Sequence, residues 1–211
     1  MTEPQAPSRT RVVYRLAQWS VYLFMKLFFR LSWEGTENIP KEGGVIIASN
    51  HASYVDPPCV GAVVPREASF FAKKEIFSIP VIGRIISYVG NTIPVDRRGF
   101  NADSFREMLK RLKGGWAVVI FPEGTRTRNG EFLKTKEGAG MAAVHANVPV
   151  VPCWVEGSFR AKPFRSKITL HFLPPFMPGD IHANTRKEHY LLVSERIMSD
   201  IKNLYKKKNS N

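Results

Sequence analysis

The chain has 211 residues and a mass of 23.9 kDa, which fits one domain or one domain with an appendage. Apolar residues make up 44% of it and charged residues 23%, which excludes a disordered or low-complexity protein. Basic residues exceed acidic residues by 31 to 18, for a net charge of +13. This excess favours an anionic partner such as nucleic acid, anionic lipid or a phosphorylated small molecule. Two cysteines, Cys59 and Cys153, exclude a disulfide scaffold and are expected to be buried apolar residues.

The N-terminal part is a short polar lead, residues 1–8, followed by a long apolar and aromatic segment from Arg9 to Trp33. That segment lacks the small-residue cleavage site of a secretory signal. Its longest uncharged run, Leu16 to Met25, is about half of the roughly 20 residues that a bilayer span needs. We therefore expect a disordered lead and an amphipathic helix lying in the membrane interface over residues 1–33. The alternative is a helix packed on the protein's own core.

From residue 34 onward, strand and helix patterns alternate along the chain. This alternation predicts a single α/β domain over residues 34–211, with a mostly parallel mixed sheet flanked by helices. Functional side chains are then expected where strands end. The predicted strands are Gly43–Asn50, Ser69–Lys73, Ala117–Phe121, 148–157 and Ile168–Leu173, and the predicted helices are Pro57–Val64, Glu75–Tyr88 broken at Pro80, Asn101–Lys113 and Tyr190–Tyr205.

The first candidate site follows the first predicted strand, in the segment NHASYVD. Its His51 and Asp56 can meet if the chain turns there into a helix, and the carboxylate would then fix the imidazole tautomer and stabilise its protonated form. No serine or cysteine nucleophile motif accompanies the pair, so the attacking group is expected to be a substrate hydroxyl. A structural histidine at a strand end is the alternative, and metal ligation lacks a third ligand in motif spacing.

A second candidate is the turn in FPEGTR, after the strand that ends at Phe121. The backbone at Gly124 and Thr125 can direct N–H groups at an anion, and Arg126 adds a guanidinium suited to phosphate. Glu123 is expected to accept hydrogen bonds from substrate hydroxyls or to order the arginine. The alternative is a surface turn with a solvated arginine.

Further basic residues follow other predicted elements. Lys73 ends a predicted strand, and Arg97 and Arg98 follow GNTIPVD. Arg97 and Arg98 are expected to face the same anion as the FPEGTR turn. A charged surface turn is the alternative for the arginines, and a helix start with a solvated lysine is the alternative for Lys73.

Four segments occur in the order and near the spacing of the four blocks of the lysophosphatidic acid acyltransferase family: NHASYVD, GNTIPVDRR, FPEGTRTR and VPVVPCWVEGS. The chain resembles this family from about Gly35 to Leu173. The first and third blocks together are highly specific, and the segment AKKEIFSIPVIG is also similar to the family's intervening sequence.

The resemblance implies roles for individual residues. His51 matches the catalytic base and Asp56 its partner, while Arg97 matches the arginine of the second block. Lys73 matches a lysine that holds the acceptor phosphate. The acceptor block is matched by Glu123, Gly124 and Arg126, and Pro149 and Pro152 fall in the fourth block, which binds the acyl donor or shapes the site.

The resemblance further implies acyl transfer from acyl-CoA or acyl carrier protein to the sn-2 hydroxyl of 1-acyl-sn-glycerol 3-phosphate, without a cofactor or metal. The expected partners are a lipid bilayer, lysophosphatidic acid and the thioester donor, at the cytoplasmic face of a bacterial inner membrane. One alternative hypothesis is an acyltransferase with a different acceptor, such as glycerol 3-phosphate or a lyso-amino lipid. Another is a non-catalytic protein that binds anionic lipid. Nucleic-acid binding is disfavoured because no such motif occurs.

Overall fold

The computed structural model describes residues 8–80, 92–96 and 101–210. Within these residues, a sheet of seven strands separates two layers of helices. The strands are β1 (Ser32–Glu34), β2 (Val45–Ser49), β3 (Ala68–Lys73), β4 (Thr92–Val95), β5 (Ala117–Ile120), β6 (Val150–Glu156) and β7 (Thr169–Phe172). The α-helices are α1 (Ser8–Phe29), α2 (Asp56–Val63), α3 (Ala102–Lys113), α4 (Gly138–Ala146) and α5 (Arg186–Asn209), and 3-10 turns cover Thr36–Asn38, Lys74–Ser78 and Pro178–Asp180.

The strands lie in the order β1-β7-β6-β2-β5-β3-β4, and every neighbouring pair is parallel except β6 with β7. The predicted fold class is therefore confirmed: one α/β domain with a mostly parallel mixed sheet flanked by helices. Because β2, β3, β5 and β6 run in the same direction, the residues that follow them gather at one edge, the carboxyl edge of the sheet.

Alternate residues of the central strand supply the two halves of the core. Val45 and Ile47 of β2 face the layer of α1 and α2, whereas Ile46 and Ala48 face the layer of α3, α4 and α5. All five residues of β2 are buried, as expected for a parallel strand covered on both sides. This central position fixes the carboxyl end of β2, where the first candidate site begins.

Most predicted elements are found within a few residues of their expected bounds, although the C-terminal helix extends four residues further at each end. Of the predicted helix Glu75–Tyr88, the structure shows a 3-10 turn over Lys74–Ser78, and residues 81–91 lie outside the described residues. Strands β1 and β4 and helix α4 were not predicted from the sequence. Strand β1 crosses the predicted domain boundary between residues 33 and 34.

Helix α1 has two apolar faces. Its inner face packs on the core with Met25 and Phe29, and Gln18 Nε2 donates to the carbonyls of Gly61 and Val64 at 2.9 and 2.8 Å, which ties α1 to the end of α2. The outer face carries an apolar row, here called the outer stripe, whose side chains are 49–62% exposed. The outer stripe consists of Val12, Leu16, Trp19, Leu23 and Leu27. Among the described residues, no helix is both long enough and apolar enough to cross a membrane.

Candidate active site

His51 and Asp56 meet directly at the carboxyl end of β2. The imidazole Nδ1 lies 2.9 Å from Asp56 Oδ2, and the histidine side chain is 16% exposed, whereas the carboxylate is fully buried. A carboxylate accepts hydrogen bonds, so Nδ1 carries the proton and Nε2 keeps a free lone pair. Nε2 has no hydrogen-bond partner among the described residues. The geometry provides a base with a fixed tautomer.

The Asp56 carboxylate also holds the loop between the two residues. Its Oδ2 accepts the backbone N–H groups of Ala52 and Ser53, both at 2.7 Å, in addition to the imidazole. Asp56 is the first residue of α2, where a negative charge is stabilised by the helix dipole. One carboxylate oxygen thus holds the imidazole and two consecutive backbone amides in a fixed arrangement.

The other side of His51 is held by residues from neighbouring strands. The His51 N–H donates to Glu123 Oε1 at 2.9 Å, and its carbonyl accepts the Thr127 N–H at 3.0 Å. The imidazole stacks on the Phe121 ring at 4.1 Å. Asn50 bridges to β6, since its side chain accepts from Val155 N–H at 2.7 Å and donates to the Val155 carbonyl at 3.2 Å. The backbone of His51 is therefore fixed from both neighbouring strands.

Glu123 is placed differently from the sequence expectation that it orders the arginine. Its two oxygens accept the backbone N–H groups of His51 and Leu133, at 2.9 and 2.8 Å. Burial raises the pKa of the Glu123 carboxyl, although these two N–H groups act in the opposite direction. In this structure Glu123 positions the base and closes the loop that carries Arg126. Its predicted contact with substrate hydroxyls stays a prediction.

The FPEGTR turn places Arg126 against the segment that carries His51. The Arg126 guanidinium lies 3.2 Å from the centre of the exposed Tyr54 ring, a cation–π contact. Gly124 has a φ of 68°, and a Cβ there would approach the Lys136 side chain to 2.9 Å, so only glycine fits easily at this turn. The structure thus places Lys136 against the turn. Gly124 and Thr125 are both exposed, but the Gly124 N–H donates to the Phe121 carbonyl at 2.9 Å, so it does not point at a ligand as the sequence predicted.

Lys73 ends β3 at the same edge of the sheet and is exposed. Its neighbour Lys74 pairs with Asp96 at 2.6 Å, which raises the pKa of the lysine. Among the described residues, neither Lys73 nor Arg126 forms an ion pair, so both retain charge for an anionic ligand. Arg97 and Arg98 lie outside the described residues, and their predicted place in the site stays a prediction.

A cavity of about 260 Å³ opens on the β6 side of His51. Its wall combines aromatic and polar side chains, including Phe132, Trp154, Ser158, Phe159 and Tyr205. Ser158 is buried and its hydroxyl has no partner in the described part of the chain. His51 therefore lines this cavity together with Glu123 and Thr127, which come just before and just after the Gly124–Arg126 part of the FPEGTR turn.

Neither the cavity nor the residues that support His51 were predicted from the sequence. Asn50, Phe121 and Thr127 lie inside or next to the recognised blocks, but their contacts are with backbone atoms or ring faces, which no local pattern reveals. The prolines of the fourth block belong to the sheet: the Pro149 carbonyl accepts the Ile46 N–H at 3.0 Å, and Pro152 is buried in β6. The fourth block thus supports the site from within the sheet.

Comparison with known proteins gives consistent results. The family model described as Acyltransferase matches residues 30–156. The 1-acyl-sn-glycerol-3-phosphate acyltransferase of Bacillus subtilis is 32% identical over 174 residues, which are 81% of this chain and 86% of that protein. The chloroplastic 1-acyl-sn-glycerol-3-phosphate acyltransferase LPAT1 of Arabidopsis thaliana is 30% identical over 76% of this chain, which spans only 46% of the plant protein.

The fold has a solved relative as well. The crystal structure of the 1-acyl-sn-glycerophosphate acyltransferase of Thermotoga maritima superposes with a TM-score of 0.74 at 28% identity, covering 95% of this chain and 84% of that one. The match to the family model includes both His51 and Asp56 and extends through the FPEGTR turn to the end of β6. The chain belongs to the acyltransferase family.

Proposed function

We propose that the protein transfers a fatty acyl group from acyl-CoA or acyl carrier protein to the sn-2 hydroxyl of 1-acyl-sn-glycerol 3-phosphate, giving phosphatidic acid. The observation that carries this proposal is the His51–Asp56 contact, in the wall of a cavity that Glu123 and Thr127 of the FPEGTRTR segment also line. The names of the bacterial and plant relatives support the choice of acceptor.

The chemistry needs no covalent acyl-enzyme. His51 Nε2 takes the proton of the sn-2 hydroxyl as the oxygen attacks the thioester carbonyl, and Asp56 stabilises the resulting imidazolium. The tetrahedral intermediate then collapses, the carbon–sulfur bond breaks, and the proton on Nε2 passes to the departing thiolate. One ester forms, one thioester is consumed, and the imidazole returns to its starting state.

The acceptor phosphate is assigned to the cationic side of the site. Arg126 supplies a planar guanidinium and Lys73 a second charge, and neither is neutralised by a carboxylate among the described residues. The exposed Thr125 and the predicted Arg97 complete the set, while Gly124 shapes the turn that carries Arg126. Binding the phosphate here places the hydroxyl beside His51, and such positioning lowers the barrier by several kcal/mol.

The acceptor is a membrane lipid, so the enzyme must reach the bilayer surface. We assign this role to the outer stripe of α1, whose exposed apolar side chains and flanking basic residues suit the headgroup region. The protein would then act as a peripheral enzyme of the cytoplasmic face of the bacterial inner membrane, where thioester donors are made.

Replacing the base provides the direct test. His51→Ala should lower kcat for acyl transfer by about 10²- to 10⁴-fold, because proton removal from the hydroxyl is lost. Binding of lysophosphatidic acid should be nearly unchanged. His182→Ala is the matched control, since His182 is exposed on a loop before α5. Near wild-type turnover by His51→Ala would contradict the mechanism. Donor preference follows from running the same assay with acyl-CoA and with acyl carrier protein.

Removing the guanidinium tests the acceptor assignment. Arg126→Ala should raise KM for lysophosphatidic acid by about tenfold or more, since a charge-assisted contact to phosphate is lost, with a smaller effect on KM for the thioester. Arg106→Ala, on an exposed face of α3, serves as control. An effect confined to the thioester KM would move Arg126 to the donor side. A panel with glycerol 3-phosphate and a lyso-amino lipid checks the acceptor itself.

A further inference from the structure

The loop between β6 and β7, residues 157–168, links the active-site cavity to α1. Because β6 is parallel to β2, the loop leaves the sheet at the same carboxyl edge as His51. Ser158 and Phe159 at its start line the cavity. Further along, the Phe164 N–H donates to the Phe28 carbonyl, and the Ile168 N–H donates to the Phe29 carbonyl at 3.1 Å. The loop therefore joins the cavity wall to the last turn of α1.

The outer end of this loop presents an aromatic side chain to solvent in an unfavourable backbone conformation. Phe164 is 65% exposed and has a φ of 63°, in the left-handed region that bulky residues rarely occupy. Its ring lies 4.6 Å from the Phe28 ring, which stacks at 4.4 Å on the half-exposed Phe24. Three aromatic rings thus form one surface that continues from α1 onto the loop. Strain of this kind persists where the surrounding structure and function require it.

Helix α1 and the loop between β6 and β7 carry only positive charges. The loop contains four basic residues, all exposed, and no acidic residue between Gly157 and Ile168. No acidic residue occurs in α1 either, and the Arg30 guanidinium donates to the Arg165 carbonyl at 3.3 Å across the junction. Among the described residues, none of the loop cations forms an ion pair. These loop residues are Arg160, Lys162, Arg165 and Lys167.

We propose that residues 159–167 are a second lipid-contacting element, here called the docking loop, which seats the cavity mouth on an anionic bilayer together with the outer stripe. An exposed aromatic side chain surrounded by unpaired cations fits an interface where acyl chains lie below a layer of phosphates. The inference rests on the proposed action at a membrane, and it adds a contact through which the site itself, and not α1 alone, meets the lipid.

The test measures partition of the full chain into vesicles of pure phosphatidylcholine and of phosphatidylcholine with phosphatidylglycerol in equal parts. Phe164→Asn removes the aromatic ring. Asparagine adopts the left-handed backbone conformation more easily than phenylalanine, so the loop backbone should be preserved. The variant should bind about fivefold more weakly to both compositions, with an unchanged or higher melting temperature. Met177→Asn, the same kind of change on the other side of the sheet, should bind like the wild type.

A second experiment tests the role of charge with the double variant Arg160→Gln/Arg165→Gln. Its control is Arg186→Gln/Lys187→Gln, which removes two exposed cations at the start of α5. The loop variant should bind the mixed vesicles about tenfold more weakly, and its binding to phosphatidylcholine should be nearly unchanged. The salt dependence of its binding to the mixed vesicles should also be smaller than that of the wild type. Equal losses from both pairs would show that net charge alone acts, and the proposal would fail.

Two comparisons separate this inference from the proposed function. If Leu16→Ser/Leu23→Ser releases the protein from vesicles while Phe164→Asn binds like the wild type, α1 alone contacts lipid and the docking loop is refuted. Turnover of detergent-dispersed lysophosphatidic acid should be unchanged in the loop variants. A wild-type protein that fails to acylate this substrate would refute the proposed function, and the vesicle results would still decide the loop.

Discussion

The two long helices of the fold, α1 and α5, bury apolar side chains in opposite halves of the core but differ in what they expose. α5 turns Val193, Ile197 and Ile201 inward and exposes charged residues of both signs, including an Arg196–Asp200 pair at 2.8 Å. α1 is apolar on both faces and contains no acidic residue. The surface of α5 is suited to water, whereas the outer stripe of α1 is suited to a lipid interface. A helix can therefore contribute to a core and still carry a second apolar face for a partner.

The largest effect is expected from the inner face of α5. Ile197 is fully buried, so Ile197→Ala should lower the free energy of unfolding by about 2–5 kcal/mol through lost burial and a new cavity. Urea denaturation would measure it, with the exposed Lys187→Ala of the same helix as control. A loss below about 1 kcal/mol would mean that α5 contributes less to the core than its burial indicates.

An intermediate effect is expected from the outer face of α1. Leu16→Ser/Leu23→Ser should change the free energy of unfolding little, because both side chains are about half exposed or more. Partition into anionic vesicles should fall by at least tenfold, since each leucine contributes about 1.5–3 kcal/mol when fully buried. Sedimentation with vesicles measures this loss. If stability falls and partition does not, the outer stripe is part of the protein's own core.

The smallest effect is expected where α5 contacts β1, the strand that follows α1. Lys208 of α5 donates to Glu34 Oε1 at 2.9 Å, and His171 lies 2.5 Å from the same oxygen. The lysine contact, and then that of the histidine, lower the pKa of Glu34 from its ordinary value of 4.5. The contact therefore stabilises the fold above that value and is lost as pH falls through the folded-state pKa.

Glu34→Gln should accordingly lower the free energy of unfolding at neutral pH by less than about 1 kcal/mol, because the carboxylate is largely exposed. The difference from the wild type should disappear in acid. Denaturation curves at both pH values give the measurement, and Glu37→Gln, an exposed neighbour, should have no effect at either. A difference that persists in acid would rule out the ion pair as its cause.

The elements that the sequence predicted are those with a strong local pattern. The continuous apolar run of β2 and the apolar face of α3 are examples, and both were found near their predicted bounds. α4 was missed because its sequence, GAGMAAVHA, has small residues on several faces and no amphipathic period. These residues let α5 approach closely: a Cβ at Gly140 would collide with the Tyr190 carbonyl. The need for small residues in α4 thus comes from a helix about fifty residues further along the chain, which a local sequence pattern does not show.

The candidate site likewise contains residues that a local pattern predicts and residues that it does not. His51 and Asp56 were predicted as a pair because they are close in sequence and their chemistry is complementary. The contact from the His51 N–H to Glu123 joins residues 72 positions apart and uses a backbone N–H, which every residue type except proline carries. The cavity on the β6 side was not predicted either, because its wall is assembled from four separate parts of the chain.

The convergence of three donors on Asp56 Oδ2 has a consequence for the length of the segment between base and acid. Hydrogen bonds from the imidazole and from two consecutive backbone amides all end on this carboxylate, so they close residues 51–56 into a loop. One inserted or deleted residue would break these hydrogen bonds even without bound substrate. Spacing in this segment is thus a folding requirement as well as a chemical one.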